Sequence, residues 1–272
     1  MESQIIFVYC LCDDLLKAFG HREDPQCRVS DAEILTTALV AALEFGGCFK
    51  RSSRFLHQHG YMPVALSSSR FIRRLHRCVP LITPLFHVLA SLAHDTNTES
   101  LYIIDSFPLP ACDNIRIRRC RRYRGEAWRG YQASKRRYFY GLKIHLMVTA
   151  QGQPVEFFLS PGSLSDTAAL KLYAFDIPEG ATITGDKAYN DYQYEDLLAE
   201  TQRYLVPLRR QNSKRPHHPA LTYLMSTARH AIETTGSLIE RLLPKHIHSA
   251  TAAGFELKTA LFILACSINF LF

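Results

Sequence analysis

Residue 101 divides this sequence into two kinds of periodicity. Beyond it, short β-type runs alternate with helical stretches: Leu101-Tyr102-Ile103-Ile104 before Asp105, a long run over 138–149, a turn at Gln151-Gly152-Gln153 and a return over 155–159. A helix over 166–174, a strand over 181–184, a helix over 192–200, a strand over 204–208 and a long helix over 220–243 follow. The strand signal is β-branched and aromatic residues bounded by Gly, Pro or Asp; the helix signal is an apolar period near 3.6. The order β-ββ-α-β-α-β-α predicts an α/β domain, a mixed five-stranded sheet flanked by helices. Its first strand is expected to end at Asp105, with Pro108 and Pro110 closing it.

The residues before 99 read as all-helical. Ser30-Asp31-Ala32-Glu33 is a capping box ahead of an apolar run over 34–43, and Gly46-Gly47 stops that helix. A second helix, over 66–77, has Phe71, Ile72 and Leu75 on one face and Arg70, Arg73, Arg74 and Arg77 on the other; a third is expected over 81–94. A basic amphipathic member among three helices fits a DNA-binding region over 1–98, and a helical bundle whose arginines face water gives the same pattern.

Hydrophobic residues make up 47% of the 272 and charged residues 21%, which excludes disordered, collagenous and coiled-coil classes. The eight cysteines form no CxxC and no Cys/His pair with zinc spacing, so they read as buried thiols of a reducing compartment. No basic, apolar leader opens the chain, and the most apolar stretch, 259–272, is 14 residues by its end numbers, short of a bilayer span. That stretch reads as a core helix, and the chain as cytoplasmic.

Charge is placed unevenly. Net charge is +7, yet between 114 and 143 lie Arg116, Arg118, Arg119, Arg121, Arg122, Arg124, Arg129, Lys135, Arg136, Arg137 and Lys143 against Glu126 alone, 11 − 1 = +10. The remainder is therefore +7 − 10 = −3. Tyr123, Trp128, Tyr131, Tyr138 and Tyr140 interleave the arginines, a pattern suited to phosphates and exposed bases of DNA. The core of this stretch, 112–137, reads as a basic insertion between the first two strands. Arg203, Arg209, Arg210, Lys214 and Arg215 form a second cluster ahead of the final helix.

Asp105 and Asp186 share one setting, each closing a short strand. Ligands of α/β sheets collect beyond the carboxyl ends of strands, so neighbouring strands would bring both carboxylates into one crevice. Two close carboxylates repel, and a hard divalent cation, Mg²⁺ or Mn²⁺, relieves that. A third acid is expected from the last helix. Glu233 is preferred, but Glu240 lies seven residues on and on nearly the same face. Asp166 reads as a helix cap or an accessory acid, and His145 as structural or DNA-facing.

Several phrases together resemble the DDE transposases, the IS982 family of bacterial insertion sequences most closely. They are Ile104-Asp105-Ser106-Phe107-Pro108, Tyr138-Phe139-Tyr140-Gly141-Leu142-Lys143, Pro161-Gly162-Ser163 before Asp166, Gly185-Asp186-Lys187-Ala188-Tyr189, the tract Arg209-Arg210-Gln211-Asn212-Ser213-Lys214-Arg215, Arg229 four before Glu233, and Ala253-Gly254-Phe255-Glu256-Leu257-Lys258. The resemblance implies a ribonuclease H-like catalytic domain over 99–272 and a catalytic, metal-binding triad of Asp105, Asp186 and Glu233. The intervals are 186 − 105 = 81 and 233 − 186 = 47 residues. Related transposases carry a Tyr-(2)-Arg-(3)-Glu-(6)-Lys signature; Arg229 and Glu233 match it, whereas Ser226 and Glu240 stand at the tyrosine and lysine positions.

The implied activity is that of an insertion-sequence transposase. Bound to terminal inverted repeats, it would use two Mg²⁺ ions (Mn²⁺ substituting) to hydrolyse a phosphodiester, free a 3′-hydroxyl and join it to target DNA. Synapsis of two ends implies a homodimer or larger assembly, in a bacterial cytoplasm at the nucleoid. The DNA-facing candidates are Arg70, Arg73 and Arg74; Arg116, Arg118, Arg119, Arg121, Arg122, Arg124, Trp128, Lys135, Arg136, Arg137 and Lys143; and Arg209, Arg210, Lys214, Arg215 and Arg229. A nuclease on the same core that cuts without joining, and an inactive DNA-binding derivative, are the alternatives.

Overall fold

The computed structural model describes residues 2–133 and 135–272. The chain packs into two compact units. The first comprises Met1–Leu89, Leu238–Ser249 and Ala253–Phe272; the second comprises Ala90–Ser237 and Ala250–Ala252.

The first unit is helical: α1 (Glu2–Ala18), α2 (Asp31–Glu44), α3 (Phe49–Gln58), α4 (Ser68–Arg77) and the start of α5 (Val79–Thr96). The capping box forms as expected: Ser30 Oγ accepts from Glu33 N at 3.1 Å and Glu33 Oε2 accepts from Ser30 N at 2.6 Å. From Ile34 to Ala42 every residue of α2 is buried, so this helix is apolar all round because it is the centre of the unit. Arg74 departs from its expected place on a solvent face. Its guanidinium reaches back from α4 to Asp31 and to the Val29 carbonyl, only 15% of the side chain is exposed, and it serves as a strut between α4 and α2.

The second unit holds β1 (Leu101–Cys112), β2 (Arg129–Gln132), β3 (Arg137–Thr149), β4 (Pro154–Pro161), α6 (Asp166–Leu170), β5 (Thr182–Gly185), α7 (Tyr192–Glu200), β6 (Tyr204–Leu205) and most of α8 (Pro219–Leu242). The sheet runs β2-β3-β1-β5-β6, with β4 also on β3. It has six strands rather than five. The extra strand, β2, lies in the basic insertion and pairs antiparallel with the first residues of β3, Arg129 opposite Tyr140. The other five keep the expected order.

β1 continues seven residues past the expected stop at Asp105, ending at Cys112. Its partner β3 follows it from Tyr102 to Cys112, but β5 follows only from Leu101 to Ile104. Beyond Ile104 one edge of β1 is open. Ser106 N, on that edge, donates to Asp105 Oδ1 at 2.8 Å instead of to a strand. Pro108 and Pro110 follow at two-residue steps, so their missing N–H groups fall on the same edge and cost the ladder nothing. Conversely α6 stops short of residue 174, and Phe175 behind it adopts φ +47.

The last helix, α9 (Ala252–Asn269), starts seven residues before the apolar run read from the sequence. Its 18 residues, mean hydropathy 1.3, are long and apolar enough to cross a membrane, which corrects the count of 14; 61% of them are buried inside the protein. They pack in the first unit: Gln4 Nε2 donates to Asn269 Oδ1 at 3.1 Å, and the Phe7 and Phe272 rings meet edge-on at 5.1 Å. The division drawn at 98/99 is thus crossed by α9, because the helical unit supplies the apolar surface that covers it.

Candidate active site

β1 and β5 are parallel neighbours at the middle of the sheet. Their last register pair is Ile104 with Gly185, and Asp105 and Asp186 are the next residues on each strand. The close approach needs a glycine: a Cβ on Gly185 would stand 2.8 Å from Ile104 Cγ2 and 3.1 Å from its carbonyl oxygen. Behind the pair, Ile103, Ile104 and Ile183 are fully buried, so the aspartates sit at the rim of a rigid floor.

Glu233 comes to this rim from α8. The helix is pinned by Ile232, which is buried, and by Thr235, whose Oγ1 donates to the Gly152 carbonyl at 2.6 Å in the β3–β4 turn. One turn earlier, Arg229 reaches all three acids. Its Nη2 lies 3.7 Å from Asp105 Oδ2 and 3.6 Å from Glu233 Oε1, and its Nη1 lies 3.4 Å from Asp186 Oδ1. Glu240 lies in the first unit, two turns on, and shares no ion pair with this group among the described residues. Geometry therefore separates two glutamates that sequence position left close.

Burial pushes the Asp105 carboxyl up to about 6, with Asp186 and Asp166 adding to it and the Ser106 N–H and Arg229 opposing. Asp186 also accepts from Lys187 N at 2.6 Å, capping the short turn that follows. A second acid–base group lies alongside: Asp166 Oδ1 accepts from Ser106 Oγ at 2.7 Å and from Lys143 Nζ at 3.1 Å. Ser165, not Asp166, caps α6. Tyr189 is fully buried and Ser106 is committed to Asp166, so neither is a free hydroxyl at the rim. His145 is buried, bonded through Nε2 to Ser160 Oγ at 2.8 Å, stacked on Phe158 and pushed down to about 4 by burial; it is structural.

Three carboxylates share one guanidinium whose bonds are long and whose Nε is buried without a partner. The three acids do not gather their oxygens within 4.8 Å of one another, and the arginine stands among them. Ionised, they sum to −3 against +1. The residual −2 and the hard oxygen donors fit divalent cations. The one group of His and acid side chains that does gather that closely among the described residues is His21, Glu23 and Asp31, and its Asp31 is engaged by Arg74.

The basic candidates separate by exposure. In the insertion, Arg116, Arg118, Arg119, Arg121, Arg124, Lys135, Arg136 and Arg137 are exposed, as are Arg70 and Arg73 on α4. Trp128 packs on Tyr123 at 4.4 Å and donates to the Arg124 carbonyl, while Tyr131 and Tyr138 pair on the surface at 5.0 Å. Arg122 is turned inward to the Ala111 carbonyl. Lys143 is likewise half-buried against Asp166. In the second cluster Arg209 is not a surface charge: it makes a two-pronged bond to Glu195 at 2.6 and 2.7 Å, with side chains 10% and 7% exposed. Arg215 is exposed and pairs with Asp196 at 2.7 and 2.9 Å; Arg210 and Lys214 are exposed as well. His217 and His218 point to different partners, the Pro207 carbonyl and Ala220 N.

A mixed six-stranded sheet flanked by helices, with acids beyond the carboxyl ends of its two central parallel strands, is the ribonuclease H-like fold. The profile described as Transposase DDE domain matches residues 95–247, more than half of the chain, and the protein belongs to that family. The family generally uses divalent metal ions. In fold the chain is similar to the piggyBac transposase in a synaptic complex with hairpin DNA, at 10% identity and a TM-score of 0.50 over 97% of this chain and 71% of that one. No curated protein sequence matches it.

Proposed function

We propose that this protein is a metal-dependent transposase of an insertion sequence, of the IS982 type, and that Asp105, Asp186 and Glu233 are its catalytic carboxylates. The observation that carries the reading is the meeting of these three acids, from β1, β5 and α8, around the single guanidinium of Arg229. Mg²⁺ held by them would neutralise phosphate charge and supply an activated oxygen nucleophile. The chain's own part is positioning. Gly185 lets β5 close against β1, Thr235 fixes the phase of α8, and the Ser106–Asp166–Lys143 group braces β1 beside Asp105.

Exposed arginines of the insertion and of α4 hold DNA by its phosphates and release counterions. Arg229, at the rim, meets the scissile phosphate once it leaves the carboxylates. The reaction is hydrolysis at the element's terminus, in which water adds to phosphorus and the 3′-oxygen leaves. The freed 3′-hydroxyl then attacks a target phosphodiester and displaces its 3′-oxygen. Two ends brought together require at least two protomers. The DNA complex of the piggyBac transposase supports DNA as the partner.

An excision and integration assay in cells tests this, with the gene's flanking DNA bracketing a marker. Movement by wild type and none by Asp105→Ala or Asp186→Ala is expected. Equal movement by the variants discards the triad. Binding of the flanks without movement by any of the proteins identifies an inactive derivative.

A further inference from the structure

The helical unit contains a cavity of about 580 Å³, bounded by the α2–α3 turn, α3, the start of α4, residues 244–248 and α9. Pockets of roughly 300–1,000 Å³ take ligands of nucleotide size. Part of the wall is apolar and aromatic, from Phe49, Phe71 and Phe262. Gly47, at φ +74, brings the chain against Phe262: a Cβ there would stand 2.9 Å from the ring, so the turn closes this side of the cavity only with glycine.

The rest of the wall is basic. Lys50, Arg54 and Lys258 line it with His57, His246 and His248, and among the described residues no carboxylate does. Lys258 is the unusual member. Its Nζ donates to the His248 carbonyl at 2.7 Å and stands 4.8 Å from the centre of the Phe49 ring. Burial lowers its pKa. An ammonium set into an aromatic wall, answered by a carbonyl, a ring face and the neighbouring Cys48, is incompletely compensated; an anion entering the cavity would complete it. α4 gives Ser68, Phe71 and Ile72 to the wall while Arg70, Arg73 and Arg77 of the same helix are exposed.

We propose that this cavity binds one unpaired nucleotide, its base in the aromatic wall and its phosphate at Lys258, Lys50 and Arg54. The shared chemistry, a flat aromatic group joined to a phosphate, has two sources: an extrahelical nucleotide of a DNA strand, or a free mononucleotide. The DNA source rests on the DNA-binding reading above; the cavity itself does not.

The test uses the full chain and the fluorescence of 2-aminopurine. Four probes are compared: a duplex with one unpaired 2-aminopurine nucleotide at its end, the same duplex with that base paired, the free 2-aminopurine deoxynucleoside monophosphate, and the nucleoside without phosphate. A remote dye reports duplex binding separately. Wild type is expected to change the emission of the unpaired, phosphate-bearing probe and not of the paired base or the nucleoside. Lys258→Met and the exposed rim variant Arg54→Gln should raise its Kd about tenfold or more, with duplex binding and thermal melting preserved. A response to the overhang alone identifies the DNA source, and an equal response to the monophosphate identifies the free nucleotide. Equal responses to paired and unpaired bases, or an unpaired response unchanged in both variants, overturns the proposal. Absence of duplex binding with a positive monophosphate response contradicts the DNA reading and leaves the cavity assigned.

Discussion

Asp105 and Asp186 each stand one residue beyond Ile104 and Gly185, the last pair in register between two neighbouring parallel strands. Their proximity is therefore a property of the sheet and not of any loop. Glu233 joins them through a helix held by Thr235, and Arg229 stands among all three. The arrangement resembles a metal site with an arginine in the cation's place.

Arg229→Gln should therefore destabilise the metal-free protein, by about 1–2 kcal/mol, because three carboxylates then face one another across a partly buried rim. Adding Mn²⁺ should narrow the gap from wild type. Thermal melts in chelator and in Mn²⁺ check this; equal melting of the two proteins in chelator would show that Arg229 does not balance the acids.

Neighbouring arginines on α4 should behave in opposite ways. Arg74→Ala removes a mostly buried partner of Asp31 and should cost about 3 kcal/mol of stability. Burial works against the charged form of Asp31, yet Arg74 and His21 hold its pKa below the ordinary carboxylate value. Arg73→Ala should leave stability within about 0.5 kcal/mol and weaken DNA binding. Denaturant unfolding and a shift assay on both variants separate the roles.

Arg209 of the second cluster and the arginines of the insertion contrast in the same manner. Arg209→Ala breaks the two-pronged bond to Glu195 and should destabilise the second unit by about 3 kcal/mol. Arg118→Ala and Arg119→Ala in the insertion should barely alter melting. Each should instead reduce the slope of log K for DNA against log salt by about 0.9, the loss of one phosphate contact.

Glu156 gives the pH dependence a defined sign. Burial, with Asp176 adding to it, pushes its carboxyl up from 4.5 to about 7, against the Asp176 N–H that donates to it. The folded state thus favours the protonated acid. Its contribution is complete below the unfolded value and is lost as pH rises through about 7. Wild type should lose stability relative to Glu156→Gln between about pH 5 and pH 8, as paired thermal melts would show; a constant difference would contradict the burial argument.

Much of this fold is legible because its periodicities are local. The capping box at Ser30, the bounds of α7 and the order of the core strands follow from short-range pattern. What the sequence hides is set by neighbours distant along the chain. β1 passes through two prolines because β5 ends at Gly185 and leaves that edge open. Arg74 and Arg209 look like surface cations until Asp31 and Glu195 are placed beside them. The apolar start of α9 is masked by Glu256 and Lys258, and its partners lie in the first helices. At the site, strand ends mark Asp105 and Asp186, while choosing Glu233 over Glu240 needs the phase of α8 against the β3–β4 turn.

The most direct measurement of the central claim is cleavage of a labelled duplex carrying the element's terminus, in Mg²⁺, by purified wild type, Asp105→Asn, Asp186→Asn, Glu233→Gln and Glu240→Gln. The account predicts a new 3′-hydroxyl end with wild type and with Glu240→Gln, and a fall of about 10³-fold or more for the other three with duplex binding retained. Cleavage by the three triad variants at the wild-type rate, or its loss on changing Glu240 alone, would contradict it.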